Sequence, residues 1–154
     1  MAKIFIGVGS NLGNRRENII KAIKYLEEKI EIKKISSFIE TNPEEGVKGD
    51  KFLNGIVEGK TSLSPKRLLN FLHKVERKIG RKFPHRKNEK REIDLDILFY
   101  DELVLKEKEL TIPHPKLNKR YFVLNPFVEI ASDFIDPVSK KTIINLYNQL
   151  IKKR

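Results

Sequence analysis

With 154 residues, the chain is long enough to bury a hydrophobic core, so one domain spanning residues 1–154 is expected and a peptide-sized module is excluded. Charged residues make up 34% of the chain, no apolar run approaches the ~20 residues of a membrane helix, and cysteine is absent, which together predict a soluble, cytoplasmic protein without disulfides or thiolate metal sites. The net charge of +11 predicts an anionic partner, whether nucleic acid, a membrane surface or a phosphorylated small molecule.

The first half of the chain predicts a strand, a helix and two further strands. Residues 3–8 are rich in β-formers and precede a turn at residues 9–14, after which apolar residues recur at helical spacing from Ile19 to Ile30. Residues 31–41 and 52–61 are strand-like, and a polar loop separates them.

The second half begins with a helix that Ser64 and Pro65 start and Gly80 ends. A basic loop at residues 81–90 and a strand at residues 93–100 follow. After a turn at residues 101–102, residues 103–105 are predicted to pair with that strand as a hairpin. A short helical turn near residues 120–124 and a helix from about residue 141 complete the chain.

The order β-α-β-β-α-β predicts an α+β fold. We expect a ferredoxin-like βαββαβ core with an extended antiparallel sheet and added C-terminal strands and helices. The helices should lie on one face of the sheet, and the loops at residues 42–51 and 81–90 should converge over it.

A pair of carboxylates lies in an apolar strand. Side chains two residues apart on a strand share a face, so Asp94 and Asp96 project together while Ile93, Leu95 and Ile97 enter the opposite face. Adjacent anions repel, and hard oxygen ligands suit Mg²⁺ ions that carry the phosphates of a nucleotide. The alternative is a solvent-facing strand whose acids pair with neighbouring Lys or Arg side chains.

Most of the basic excess lies just before this strand. Residues 74–91 alone contribute a net charge of +7. Arg81, Arg86, Lys87 and Arg91 in this segment can donate to polyphosphate oxygens, although a solvated charge run or an RNA-binding patch remains an alternative. His114, held between two prolines, can serve as a phosphate or leaving-group donor, or it can be structural.

Two weaker patterns concern ligand recognition. Phe52, Asn54 and Phe122 offer two aromatic rings and an amide, which suit a flat heterocycle unless the rings are ordinary core. The glycines at positions 7, 9 and 13 follow a strand, but their spacing is one residue longer than the dinucleotide fingerprint, so a nicotinamide oxidoreductase rests on that pattern alone. The phosphate-binding loop signature G-x-x-x-x-G-K-[ST] is absent from the sequence.

Several segments together resemble 6-hydroxymethyl-7,8-dihydropterin pyrophosphokinase of folate biosynthesis, in the same order over essentially the whole chain. The segments are Gly9-Ser10-Asn11-Leu12-Gly13, Ser36-Ser37-Phe38 leading to Thr41, Phe52-Leu53-Asn54, Glu76 with Gly80-Arg81, Arg91-Glu92-Ile93-Asp94-Leu95-Asp96-Ile97-Leu98, Leu110-Thr111-Ile112-Pro113-His114-Pro115 and Arg120-Tyr121-Phe122-Val123-Leu124. The sequence departs from the family where Asn88-Glu89-Lys90 replaces a frequent Trp-Gly-Pro and where Phe83 replaces a frequent basic residue.

The resemblance implies transfer of pyrophosphate from ATP to 6-hydroxymethyl-7,8-dihydropterin with release of AMP. Two Mg²⁺ ions would be bridged by Asp94 and Asp96, and the catalytic residues would be Arg81, Arg91, Asp94 and Asp96. Contacts to ATP are implied for His73, Glu76, Arg81, Arg91, Ile97, Thr111, His114 and Arg120. Contacts to the pterin are implied for Thr41, Asn42, Glu44, Phe52, Asn54, Asp94 and Phe122.

Under this interpretation the partners are ATP and the pterin, and neither nucleic acid nor a membrane is expected. A monomer is expected, with a dimer left open. The alternative is a basic RNA-binding module of ferredoxin-like fold, which the charge and the element order favour. Such a module needs an aromatic stacking strand, whereas residues 52–59 contain one aromatic residue.

Overall fold

The computed structural model describes residues 1–42, 51–80 and 92–153. The predictions that concern Glu44, Arg81 and Arg91, and most of the two predicted long loops, lie outside the described residues.

The elements follow the α+β order that the sequence predicts, which confirms the fold class. They are β1 (Ala2–Ser10), α1 (Arg15–Leu26), β2 (Glu31–Ile35), β3 (Ile39–Thr41), β4 (Phe52–Thr61), α2 (Pro65–Ile79), β5 (Asp94–Tyr100), β6 (Leu105–Lys106), β7 (Thr111–Ile112), a 3₁₀ turn (Leu117–Lys119), α3 (Tyr121–Ala131) and α4 (Ile143–Lys152). None of the helices in the described ranges is both long and apolar enough to cross a bilayer.

Local sequence explains where the first two helices and the last one begin. The side chains of Asn14, Ser64 and Thr142 accept hydrogen bonds from backbone N–H groups in the first turns of α1, α2 and α4. Pro65 stands in the first turn of α2, and Gly80 ends that helix with a φ of 127°, which favours glycine.

The main sheet has the order β2-β4-β1-β5, with β3 also paired to β4, and all its pairs are antiparallel. Its central strand β1 therefore contacts both strands that carry the candidate polar residues. The predicted single strand at residues 31–41 is wrong, because it is interrupted between β2 and β3. At the interruption the N–H and hydroxyl of Ser37 donate to the Glu129 carboxylate of α3 (2.9 to 3.1 Å).

The predicted hairpin partner of β5 is also wrong. Residues of β6 pair with β7, in a separate two-stranded sheet with Leu105 opposite Ile112. The outer edge of β5 instead receives the segment after β7, where the His114 N–H donates to the Leu98 carbonyl (3.1 Å). This edge contact brings the imidazole close to the carboxylates of β5.

Helices cover both faces of the sheet, so the prediction of helices on one face is wrong. On one face, buried residues of β1 such as Ile4 and Ile6 pack with α1 and α2. On the other, Phe5 of β1 and Phe99 of β5 pack with α3 and α4. The consecutive residues Ile4, Phe5 and Ile6 of β1 are all fully buried, and a strand buried on both faces needs cover on both.

Arg15 contacts the chain on both sides of residues 43–50. Its guanidinium pairs with Glu40 of β3 and donates to the Lys51 carbonyl (2.6 Å). A hydrogen bond from Arg15, and then its positive charge, lower the pKa of the Glu40 carboxyl from its ordinary value of 4.5.

Replacing Phe127 with alanine is expected to destabilise the aromatic cluster on the α3 and α4 face. The Phe127 ring is fully buried, with its centroid 4.6 Å from that of Phe5. Urea unfolding should show a loss of about 3–5 kcal/mol in the free energy of unfolding, from lost burial and a residual cavity. Val138→Ala, at a site that is 61% exposed, should change it by less than about 0.5 kcal/mol. A Phe127→Ala loss below about 1 kcal/mol would contradict this packing.

Carboxyl NMR titration should find Glu40 with a pKa below 4.5. In Arg15→Met that pKa should rise toward 4.5, while the pKa of Glu31, which Lys33 lowers, should stay depressed as an internal control. Because the folded-state pKa is depressed, the pair stabilises the fold above the unfolded-state pKa and its contribution is lost as the pH falls through the folded-state pKa. An unchanged Glu40 pKa in Arg15→Met contradicts the assignment.

Candidate active site

The register of the central strand brings two candidate polar residues to one place on the sheet. Gly9 of β1 lies opposite Asn54 of β4 on one side and opposite Asp94 of β5 on the other. Directly paired residues share a face, so Asn54 and Asp94 point to the same face and flank a residue without a side chain. We call Asn54, Gly9 and Asp94 the Gly9 row.

The two aspartates share a face, as predicted. Gly7, two residues before Gly9, pairs with Asp96, so Asp94 and Asp96 both lie on the face of Phe5. Both are half-buried, whereas Ile93, Leu95 and Ile97 are buried on the face that packs with α1 and α2. The acidic pair therefore lies on the same face of the sheet as Phe5 and Phe99, which α3 and α4 cover.

The backbone between the aspartates is held by a buried carboxylate. Glu76 of α2 is 1% exposed, and its Oε2 accepts a hydrogen bond from the Leu95 N–H (2.8 Å). A buried carboxylate is costly unless it accepts hydrogen bonds, so this contact stabilises Glu76 and fixes α2 against β5.

His114 faces the acidic pair from the outer edge of β5. Its Nε2 lies 4.0 Å from Asp96 Oδ1, and its Nδ1 accepts from the Lys116 N–H (3.2 Å). A neutral imidazole whose Nδ1 accepts carries its proton on Nε2. The ring therefore presents an N–H donor beside Asp96.

A cavity of about 390 Å³ runs along the edge of β5. It brings together every described residue for which the sequence implied an ATP or metal contact, namely His73, Glu76, Asp94, Asp96, Ile97, Thr111, His114 and Arg120. Sequence reasoning missed other lining residues, namely Leu69, Leu95, Lys108, Glu109, Leu110 and Pro115. Lys108 adds a positive charge to this cavity. In the sequence it lies among other charged residues, so no pattern marks it as a site residue.

A neighbouring cavity of about 440 Å³ contains three of the residues implied for the pterin. Thr41, Asn42 and Phe122 line it, and Arg120 lines both cavities. The Arg120 guanidinium lies 5.3 Å from the centroid of the Phe122 ring, a cation–π contact. Lys116, Lys119 and Tyr121 were not assigned to this cavity from the sequence.

Asn54 and Phe52 do not line this second cavity, but both contact Thr41 of β3, which does. The Asn54 Nδ2 donates to Thr41 Oγ1 (3.1 Å), and Thr41 pairs directly with Phe52. Asn54 is 9% exposed, and the hydrogen bond to Thr41 orients its amide. The Gly9 row thus lies beside Phe52, the first residue of β4.

The donor set is compatible with Mg²⁺ that is shared with phosphates. Within residues 1–42, 51–80 and 92–153, no group of three or more His, Cys, Asp or Glu side chains is arranged to hold a metal ion. Asp94 and Asp96 supply two carboxylates on one face. Mg²⁺ is commonly held by one or two carboxylates together with substrate phosphates and water, so an acidic pair of this kind fits the ion.

Comparisons with known proteins identify the family of this chain. A family model described as 7,8-dihydro-6-hydroxymethylpterin-pyrophosphokinase matches residues 5–132. A 2-amino-4-hydroxy-6-hydroxymethyldihydropteridine pyrophosphokinase of Aquifex aeolicus is 43% identical over 143 residues, which cover 93% of this chain and 89% of that protein. A protein of the same name from Synechocystis is 40% identical over 147 residues, covering 94% of this chain and 74% of that one.

The fold is shared with a longer solved protein. The structure of wild-type Plasmodium falciparum HPPK-DHPS superposes with a TM-score of 0.79 at 16% sequence identity, covering 99% of this chain. This chain spans 45% of that longer one, and the likeness concerns the fold alone. The match over residues 5–132 and the identities of 43% and 40% to the Aquifex aeolicus and Synechocystis proteins show that the chain belongs to the 7,8-dihydro-6-hydroxymethylpterin-pyrophosphokinase family.

Proposed function

We propose that this chain transfers the β,γ-pyrophosphoryl group of ATP to the hydroxymethyl oxygen of 6-hydroxymethyl-7,8-dihydropterin. The observation that carries the proposal is the Gly9 row, in which the amide of Asn54 and the carboxylate of Asp94 share one face across a bare glycine. Family membership supplies the reaction class, and the two adjacent cavities supply separate volumes for a nucleotide and a heterocycle.

The reaction breaks one phosphoanhydride bond and forms one phosphate ester. The hydroxymethyl oxygen attacks the β-phosphorus of ATP, the bond from that phosphorus to the oxygen bridging it to the α-phosphorus breaks, and AMP leaves with that oxygen. The hydroxyl proton is released. Positioning and charge neutralisation dominate such a transfer, and no covalent enzyme intermediate is needed.

The nucleotide side of the site is built to neutralise phosphate charge. Asp94 and Asp96 would hold Mg²⁺, which when bound to ATP neutralises phosphate oxygens and orients the phosphates. The Nε2–H of His114 and the guanidinium of Arg120 line the same cavity and would donate to phosphate oxygens. Arg81 and Arg91, which lie outside the described residues, are proposed to add further positive charge.

The pterin side is built from flat rings and one amide. The amide of Asn54 can accept and donate hydrogen bonds to the edge of a pterin, and Phe52 and Phe122 would cover its faces. Asn54 lies directly across Gly9 from Asp94, so a pterin bound to that amide has its hydroxymethyl group within reach of phosphates held at Asp94.

Neither the comparisons nor the covered sheet favours the RNA-binding alternative. Modules of that kind stack bases on an open sheet face that carries aromatic side chains. Here Phe5, Ile56 and Phe99 on one face are buried beneath α3 and α4, and the other face is covered by α1 and α2. A cytoplasmic location and a monomeric state remain parts of the proposal that derive from the sequence.

Product analysis tests the proposed reaction. The protein incubated with ATP, Mg²⁺ and 6-hydroxymethyl-7,8-dihydropterin should form AMP in equal amount to a pyrophosphorylated pterin, measured by ion-exchange chromatography. Omission of the pterin is the control and should leave ATP intact. Formation of ADP, or no pterin-dependent nucleotide cleavage, refutes the proposal.

Asp94→Asn and Asp96→Asn should each lower Mg²⁺-dependent turnover by about 100-fold or more, because an amide is a poorer and uncharged ligand for the metal. Thermal unfolding should show that both variants fold, since neither side chain is fully buried. The matched control is Asp133→Asn, an exposed carboxylate outside both cavities, which should retain wild-type turnover. Near-normal turnover in either β5 variant would exclude the metal assignment.

A further inference from the structure

We propose that Gly9 is a positioning residue for the pterin, because its missing side chain is what allows the Asn54 amide to lie across β1. This inference rests on the proposed function and deepens it. Gly9 would not contact the pterin itself and would affect its binding only through the neighbouring Asn54 side chain.

The available space at Gly9 is already taken by the Asn54 amide. A Cβ built on Gly9 would lie 2.5 Å from Asn54 Oδ1 and 3.5 Å from Phe52 Cδ1. Two nonbonded heavy atoms cannot approach to 2.5 Å without repulsion unless they share a hydrogen bond, and a methyl group forms none. The amide therefore occupies the volume that any other residue at position 9 would fill.

The orientation of the Asn54 amide is set by Thr41 on one side and by β1 on the other. Its Nδ2 donates to Thr41 Oγ1 (3.1 Å), which directs Oδ1 toward β1 and over Gly9. An alanine at position 9 would push Oδ1 away and strain or break the Thr41 hydrogen bond. The same displacement would move the acceptor that faces the proposed pterin slot.

Such a displacement should alter binding more than folding. Positive φ angles among the described glycines occur at Gly13 and Gly80, so the backbone of Gly9 tolerates an L-residue. The obstructing atom is the end of a side chain, which can rotate. At Gly59, by contrast, a Cβ would lie 2.8 Å from the Glu31 backbone carbonyl oxygen, which cannot rotate aside.

The effect should be confined to the pterin side of the Gly9 row. The three heavy atoms nearest to a Cβ at Gly9 belong to Asn54 and Phe52, and none belongs to Asp94. Gly7, on the same strand and face, provides a matched control, because a Cβ there would make ordinary contacts of 3.5 to 3.7 Å with Leu98.

Steady-state kinetics of Gly9→Ala should show a KM for 6-hydroxymethyl-7,8-dihydropterin raised roughly tenfold or more, as expected when a buried hydrogen-bonding group is misplaced. The KM for ATP should stay within about twofold of wild type, and thermal unfolding should show a folded protein. Gly7→Ala should leave both KM values near wild type. Equal increases in both KM values, or a wild-type KM for the pterin in Gly9→Ala, overturn the inference.

A double-mutant cycle with Asn54→Ala tests whether Gly9 acts through the amide. Since that truncation removes the obstructing atom, adding Gly9→Ala to it should raise the pterin KM by less than about twofold further. If the two substitutions together raise the pterin KM by the product of their separate effects, the inference is contradicted. It is also contradicted if Gly9→Ala destabilises the fold and Asn54→Ala does not restore its stability. If wild-type protein forms no AMP at all, the proposed function itself fails, which is a distinguishable result.

Discussion

The antiparallel register of β1 between β4 and β5 is the constraint on which the candidate site depends. It sets Gly9 opposite both Asn54 and Asp94, so an amide from one neighbouring strand and a carboxylate from the other share a face. A shift of the register by one residue would send one of these side chains to the opposite face. The distance between the two proposed substrates is thus determined by the hydrogen bonding of the sheet.

Both faces of the sheet help to hold that register. On the face of the Gly9 row, the rings of Phe5, Phe99 and Phe127 pack together further along β1 and β5, and the Glu76 carboxylate of α2, which covers the opposite face, holds the backbone at Leu95. Sites that rest on packed strands and helices keep their geometry better than sites on unsupported segments. The aspartates are consequently fixed by a buried core on one side and a buried hydrogen bond on the other.

Much of this arrangement could be predicted from local sequence, because it follows from short-range rules. The alternation of strand residues places Asp94 and Asp96 on one face, and the caps at Ser64 and Gly80 set the ends of α2. Long-range contacts could not be predicted in the same way. At the break between β2 and β3, Ser37 donates to Glu129, which lies 92 residues further along the chain, and the pairing of Gly9 depends on which strands become its neighbours.

The position of α3 and α4 on the sheet could not be predicted from local sequence either. The apolar residues of α3 and α4 predict only a short helical turn and a terminal helix, since their periodicity does not say which face of the sheet they cover. The edge position of His114 likewise depends on the pairing of β6 with β7, which carries that segment back to Leu98. Arg81 and Arg91 lie outside the described residues, so their contribution remains a prediction.

The decisive measurement is a crystal structure of the protein with Mg²⁺, 6-hydroxymethyl-7,8-dihydropterin and α,β-methylene-ATP, in which the bond to be broken cannot be cleaved. We expect the pterin to be held by the Asn54 amide between Phe52 and Phe122, with its hydroxymethyl oxygen directed across Gly9 toward phosphates held at Asp94 and Asp96. A pterin bound away from the Gly9 row, or phosphates bound away from the two aspartates, would contradict this expectation.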